Sequence, residues 1–359
     1  MSSGLTNLLL AWFQDQGREL PWRRDITPYR VWVAEIMLQQ TRIDTVIPYY
    51  TSWMERFPNL NTLANATLQE VLAVWEGLGY YQRAQNMHKT AGIVAAELGG
   101  ELPGDPSKLM KLPGIGKYTA GAIASIAFGF DEPALDGNVR RVLARLFDVS
   151  EPERSPQGEK QLWELARDCL PKGKAGIFNQ AMMDLGAIIC TPRNHACQAC
   201  PLQSQCRAKK LGVQSLRPVR MPKASIPRHV FGAAIILKEG LVLLSQRPGK
   251  GLLGSLWEFP GGKLSPAEDL QTCLRSELKK GLGVDITIGN LVGIYRHAYT
   301  HFRVTLHVFG CQLDERAQPK PIKAQDLRWV NINRLSDYPM GKLDRTIARK
   351  LQRGSICLS

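Results

Sequence analysis

The sequence predicts two domains of different class, all-α followed by α+β, on three observations. From residue 5 to about 210 the apolar residues recur mostly at helical spacing, with Leu102-Pro103-Gly104 and Leu112-Pro113-Gly114 punctuating the helices. Between Arg207 and Lys238 stand eight Lys or Arg and no Asp or Glu, with Pro218, Pro222 and Pro227 spaced through the middle, which is the composition of an extended basic linker. Beyond it, 230–237, 241–245, 284–288 and 304–310 are short β-branched runs, with a helical stretch at 267–280 among them. A chain of 359 residues is long enough to give each domain its own core, and it holds no internal repeat or low-complexity tract.

Charge and cysteine usage narrow the function classes. Lys plus Arg total 46 against 32 Asp plus Glu, a net charge of +14 that favours a polyanionic partner through counterion release. No run approaches the roughly 18 apolar residues of a membrane span. The N-terminal Leu8-Leu9-Leu10-Ala11-Trp12-Phe13 patch lacks a basic leader and a cleavage site. No membrane association and a cytoplasmic location are expected. Four of the eight cysteines fall between 190 and 206, while Cys169, Cys273, Cys311 and Cys357 are scattered, a pattern that suits a reducing compartment with one metal centre.

Three motifs carry chemistry. Cys190, Cys197, Cys200 and Cys206 form C-x6-C-x2-C-x5-C, a compact loop able to turn four thiolates around one soft centre, with zinc and an iron-sulfur cluster both admissible on ligand type. Leu112-Pro113-Gly114-Ile115-Gly116-Lys117-Tyr118 leads into an apolar helix, 118–128, whose first amides can hold a phosphate because Gly114 and Gly116 let a backbone come close. Two carboxylates differ in kind. Asp136 reads as the N-cap of the next helix, where amide hydrogen bonds would keep its pKa low and the group ionised. Glu35 lies in the apolar run 31–41, which would raise its pKa.

These motifs resemble the endonuclease III superfamily of helix-hairpin-helix DNA glycosylases, and within it the adenine DNA glycosylase family. The cysteine spacing is similar to that family's 4Fe-4S loop, with the first ligand ending a helix, here 182–189. Arg193, Arg207, Lys209 and Lys210 around the ligands suggest a phosphate-contacting loop in which the cluster takes no part in bond cleavage. The run 135–142 follows the hairpin where the family places its catalytic aspartate, and 34–41 matches the segment bearing the general acid. The resemblance implies a catalytic set of Glu35, Tyr118, Asp136 and Asn138. Glu35 would protonate a ring nitrogen of adenine, while Asp136 stabilises the oxocarbenium-like sugar. The runs 77–81 and 86–88, with Arg83-Ala84, resemble the lesion-probing loop. Gln40, Thr41, Leu78 and Tyr80 would enter the stack around the oxidised base, and Arg23, Tyr118 and Gln180 would line the adenine pocket. Gly114, Gly116, Lys117, Arg140 and Arg141 would contact phosphates. Tyr118 stands where bifunctional relatives carry a nucleophilic lysine, so strand cleavage should be weak or absent.

In the second domain Glu258-Phe259-Pro260-Gly261-Gly262-Lys263, with Glu268 and Glu277, resembles the Nudix signature, but Ser276, Lys280 and Gly281 replace its arginine and its paired magnesium-binding glutamates. A Nudix fold without the hydrolase metal site is implied, as in the C-terminal domain of the adenine glycosylases. That domain inspects the base opposite adenine through an aromatic-Ser-His turn, here Tyr299-Thr300-His301, with threonine keeping serine's hydroxyl. The resulting expectation is an all-α helix-hairpin-helix glycosylase domain at 1–212 with its cluster loop at 190–206, a linker at 213–228, and a Nudix-like domain at 229–350. The enzyme would be a nucleoid-associated monomer acting on double-stranded DNA with A:8-oxoguanine or A:G mispairs. The rivals are a bifunctional glycosylase/lyase, which Tyr118 opposes, a Nudix hydrolase of oxidised nucleotides, which Lys280 and Gly281 oppose, and a non-enzymatic damage sensor, which the two carboxylates oppose.

Overall fold

The computed structural model describes residues 2–221, 225–265 and 268–356. It divides into two compact units, Met1–Asn65 with Asn86–Lys223, and Ala66–Gln85 with Ala224–Ser359. The segment Ala66–Gln85 therefore packs with the C-terminal residues, although helical periodicity places it inside the first domain. Periodicity reports which face is apolar and not which core receives it.

The first unit is helical. Its Pro28–Leu38 helix starts at Thr27, whose side chain accepts from the Arg30 amide, with Pro28 at the first helical position. Tyr29, Val31–Ala34, Ile36 and Met37 are all buried on it, and Glu35 with them. A turn at 112–116 leads into the Lys117–Phe128 helix, which ends on left-handed Gly129. Gly114 has φ +79°, and a Cβ there would stand 2.8 Å from the Asn86 Cβ, so both conformation and space demand glycine. The Gly137–Leu146 and Ala175–Ile188 helices pack together on a core that includes Val142, Leu143, Leu162, Phe178, Met182 and Leu185. Among the described residues no helix is long and apolar enough to cross a membrane.

The second unit is built on a seven-stranded sheet of β1 (Arg228–Lys238), β2 (Leu241–Gln246), β3 (Trp257–Glu258), β4 (Gly261–Leu264), β5 (Ile286–Ala298), β6 (Arg303–Leu313) and β7 (Asp326–Asn331). The order is β3-β2-β1-β6-β5, with β4 on β1 and β7 on β2, and β1 and β6 are parallel. Along β1, Ala233 and Ile235 enter one core with Ile347 and Leu351 of the Lys342–Gln352 helix. Ala234 and Ile236 enter another with Leu274 and Leu278 of the Leu270–Leu282 helix. The period of two thus places a helix on each face of the sheet. The α+β expectation holds. The strands β3, β4 and β7 and the Lys342–Gln352 helix were not read from the sequence.

The basic linker begins differently from its expectation. Gln214–Leu216 forms a short 3-10 turn, the Val219 carbonyl accepts from the Glu153 amide at 3.0 Å, and Arg217 pairs with Asp148 at 2.8 Å. This stretch packs on the helical unit, so Arg217 is committed to a carboxylate. Pro222 and Lys223 lie outside the described residues.

Candidate active site

The Pro28–Leu38 helix delivers Glu35 into the protein, where only 5% of the residue is exposed. The Tyr118 hydroxyl, one residue into the hairpin helix, donates to its Oε2. Burial pushes Glu35 up to about 7, and the charge of Asp136 pushes in the same direction, against the Tyr118 hydrogen bond and the Arg23 charge. Burial likewise raises Tyr118 well above the usual phenol range, so its hydroxyl keeps its proton and remains a donor.

Asp136 caps the Gly137–Leu146 helix as the sequence suggested. Its Oδ1 accepts from the Val139 amide at 2.6 Å, and its Oδ2 from Asn138 Nδ2 at 2.9 Å. The expected low pKa is corrected. Protein atoms crowd the half-buried carboxyl, and this desolvation raises its pKa despite both hydrogen bonds and the Arg141 charge. The Asp136 charge in turn discourages ionisation of Glu35.

Arg141 is a correction as well as a residue whose role sequence reasoning missed. In place of reaching phosphate it is buried, donating through Nη2 to Asn138 Oδ1 at 2.8 Å and to Gly186 O at 2.7 Å, and through Nε to Cys190 O at 2.7 Å. Gly186 is needed for this approach, since a Cβ there would lie 2.6 Å from the Asn138 Cβ. Arg140 pairs with Glu159 at 2.8 Å and donates to Glu153 O at 3.3 Å. Both arginines are held by local carboxylate, amide and carbonyl acceptors, on neighbouring helices and on the loops at Glu153 and Cys190.

The other base-reading candidates take distinct places. Arg23 binds Asp184 through two hydrogen bonds of 2.8 and 3.0 Å and lies over the Phe13 ring, a fixed positive charge whose field reaches Glu35. Gln180 is half-buried on the Ala175–Ile188 helix and donates to Gly176 O at 3.3 Å. Gln40 is exposed with φ +59°, a left-handed conformation rare outside glycine, just past the end of the Glu35 helix. The Thr41 hydroxyl donates to Gln39 O at 3.4 Å. At the hairpin, Gly114 and Gly116 are exposed and no side chain caps the Lys117–Phe128 helix. The Lys117 ammonium sits 3.9 Å from the centre of the Trp163 ring.

In the second unit the turn joining β5 and β6 stacks Tyr299 on Phe302, with ring centres 4.9 Å apart, and leaves Thr300 and His301 exposed. The Thr300 hydroxyl hydrogen-bonds the Tyr80 hydroxyl, so two candidates far apart in sequence meet. Tyr80 is exposed and left-handed, φ 48°. Leu78 is a correction, because it is buried at 6% exposure and does not project as a wedge; its apolar side chain is better placed inside. At the degenerate Nudix motif, Lys280 and Lys323 contact the two oxygens of Glu277 at 2.9 and 3.2 Å, placing ammonium groups on the one retained acidic residue of that stretch.

Cys190, Cys197, Cys200 and Cys206 line one cavity of about 30 Å³ together with Arg145 and Ile189. Arg145, missed in the sequence, donates to the Cys190 Sγ at 3.3 Å and to the carbonyls of Cys190 and Thr191, while its own carbonyl accepts from Cys206 Sγ at 3.4 Å. It lies four residues after Arg141, so one helix face presents both guanidinium groups to the cysteine loop. Burial first, then the neighbouring cysteines, pushes Cys200 up to about 11. Among the described residues no three Cys, His, Asp or Glu side chains converge closely enough to ligate a single ion.

The model of the HhH-GPD superfamily base excision DNA repair protein matches residues 33–168, and that of the NUDIX domain matches 232–350. Fold and site together define a DNA glycosylase of the helix-hairpin-helix class carrying a Nudix domain. The Homo sapiens adenine DNA glycosylase is 37% identical over 378 residues, covering 90% of this chain and 69% of the human protein. That of Buchnera aphidicola (subsp. Schizaphis graminum) is 37% identical over 306 residues, covering 84% of this chain and 85% of its own. The chain belongs to the adenine DNA glycosylase family. Among solved structures, a thermostable thymine-DNA glycosylase superimposes with TM-score 0.54 at 31% identity, covering 58% of this chain and 95% of that one. A non-covalent endonuclease III-DNA complex superimposes with TM-score 0.51 at 26% identity, covering 58% and 95%.

Proposed function

We propose that this enzyme hydrolyses the N-glycosidic bond of adenine mispaired with 8-oxoguanine, and with guanine, in double-stranded DNA, acting as a monomer without strand cleavage. The observation that carries the reading is a buried carboxyl held up to about 7 within electrostatic reach of a second, amide-capped carboxylate. The Val139 amide and the Asn138 side chain donate to Asp136 and favour its anion, whereas Glu35 is pushed up by burial and by the Asp136 charge, so in this reading Glu35 carries the proton and Asp136 the charge, the division that glycosidic cleavage needs. Glu35 donates its proton to a ring nitrogen of adenine, with the Tyr118 hydroxyl fixing the carboxyl. Asp136 stabilises the cationic sugar as the base departs, and water completes the hydrolysis.

The test is adenine release from a duplex with one adenine opposite 8-oxoguanine, with an 8-oxoguanine:cytosine duplex as control. Adenine release from the mispaired duplex with no base released from the control supports the reading, and tight binding without release sinks it in favour of a sensor. Borohydride added during turnover should trap no covalent DNA adduct, because Tyr118 offers no amine for a Schiff base; a trapped adduct would favour the lyase reading.

Cys190, Cys197, Cys200 and Cys206 would hold a 4Fe-4S cluster. All four thiols line one cavity, a soft donor set that suits such a cluster, and the C-x6-C-x2-C-x5-C spacing supports it over a zinc site. When bound, the cluster cross-links the loop. Cys200→Ser should lower iron content and visible absorbance and destabilise the helical unit. Unchanged iron content in that variant would remove Cys200 from the ligand set.

A further inference from the structure

We propose that Glu76 and Arg345 are positioning residues for lesion discrimination, a bidentate ion pair that holds the Tyr80 loop in register with the Tyr299–His301 turn. The inference rests on the reading that these two segments contact the oxidised guanine. Both belong to one compact unit, so their mutual placement is a property of that unit.

Tyr80 and Thr300 are 220 positions apart in the chain, and each is exposed and sits on a turn. A hydroxyl pair between two turns cannot fix its own geometry, because either turn can shift. The rigid support lies just before the loop. Glu76 directly follows the Leu68–Trp75 helix, and its carboxylate receives both the Nε and the Nη2 of Arg345, the latter at 2.8 Å, and the Met340 amide at 3.0 Å. Arg345 in turn donates to the Leu335 and Tyr338 carbonyls at 2.8 and 2.6 Å. Its side chain is 11% exposed, and that of Glu76 is 20%. A planar guanidinium clamped between a carboxylate and two carbonyls fixes orientation as well as distance, which a surface ion pair does not.

Other contacts on the same segment point the same way. The Tyr81 hydroxyl donates to Met340 O at 3.2 Å, Gln69 accepts from the Trp257 indole at 3.1 Å, and Gln85 donates to Gly254 O at 2.6 Å. The loop is thus fastened before and after Tyr80; Arg83 braces it from within, donating to Gly79 O at 3.2 Å and lying 5.3 Å from the Tyr80 ring centre, while Glu76 ties it by charge to the Arg345 helix. The reacting carboxyls, Glu35 and Asp136, belong to the other unit, so the pair bears on which opposite base is accepted and not on bond cleavage itself.

The test measures single-turnover adenine release opposite 8-oxoguanine and opposite guanine for wild type, Glu76→Gln, Arg345→Met and Arg345→Lys. Glu76→Gln is nearly isosteric and serves if Arg345→Met fails to fold. The rate opposite 8-oxoguanine should fall roughly tenfold in Glu76→Gln and Arg345→Met, since small misplacements of a contact cost rates of this order. The rate opposite guanine should stay within about twofold, and Arg345→Lys should recover part of the loss. Combining Glu76→Gln with Tyr80→Phe should cost no more than the worse single change, because both act through one contact. Equal losses on both substrates, or additive effects in the double variant, overturn the proposal by marking a general structural role. Unchanged discrimination in variants of a wild type that does discriminate overturns it alone. A wild type with no preference for 8-oxoguanine removes the underlying reading and this proposal together.

Discussion

Glu35→Gln should lower adenine release by about 10²–10⁴-fold with DNA binding retained, because it removes the proton and keeps the shape. The pH profile gives the sharper test. In the proposed reaction Glu35 acts in its protonated form, and burial holds that proton up to about 7, so the wild-type rate should fall as pH rises through about 7. The same group ties catalysis to stability with a definite sign. Its folded pKa is raised above the ordinary 4.5, so its contribution to folding is fully present below 4.5 and is lost as pH rises through about 7. Glutamine stays neutral throughout. Thermal unfolding should therefore show Glu35→Gln gaining on the wild type as pH rises from about 4.5 to about 7, with the gain held above neutrality, while its catalysis is lost at every pH. A variant that loses activity and stability in parallel on the alkaline side would show that Glu35 serves the fold and not the proton transfer.

The burial of Glu35 was legible because the run 31–38 around it is otherwise apolar and because 34–41 resembles the acid-bearing segment of the adenine glycosylases, since a single carboxyl on an amphipathic helix is more often solvated. Asp136 was half legible. Its capping role is written in local chain geometry, which sequence reports well, but its pKa depends on how many atoms from distant segments crowd it, and the amide bonds that favour the anion lost to that desolvation. The arginines mark the same boundary. Arg140 and Arg141 look like phosphate ligands because they are basic and follow the hairpin, yet Arg141 is buried against Asn138, Gly186 and Cys190, contacts that only the packing of two helices creates. The gathering of the four cysteines into one cavity was legible from spacing, since they are close in sequence, whereas Arg145 gave no signal beyond its place four residues after Arg141. The attachment of Ala66–Gln85 to the C-terminal unit was not legible at all. Glu76 and Arg345 are ordinary letters on helical stretches until the fold brings them across 269 positions.

Asp136→Asn tests the other half of the site, and it separates charge from architecture. Asparagine is as good an N-cap as aspartate, so the Gly137–Leu146 helix keeps its first turn. Its amide can still accept from the Val139 amide through oxygen, but it presents no anion to the sugar. Release should fall by about 10²–10³-fold, the cost of removing one preorganised electrostatic partner. Two shifts in the pH profile should accompany the loss. In the wild type the acid limb should report Asp136, whose raised pKa brings its protonation closer to neutrality, and the alkaline limb should report Glu35. The variant should lose the acid limb, having no carboxyl to protonate. Its alkaline limb should move to lower pH, because the Asp136 charge is one of the influences that raise Glu35. A variant with the full rate loss and an unshifted alkaline limb would mean that the Asp136 charge does not act on Glu35, and the division of proton and charge between them would have to be abandoned.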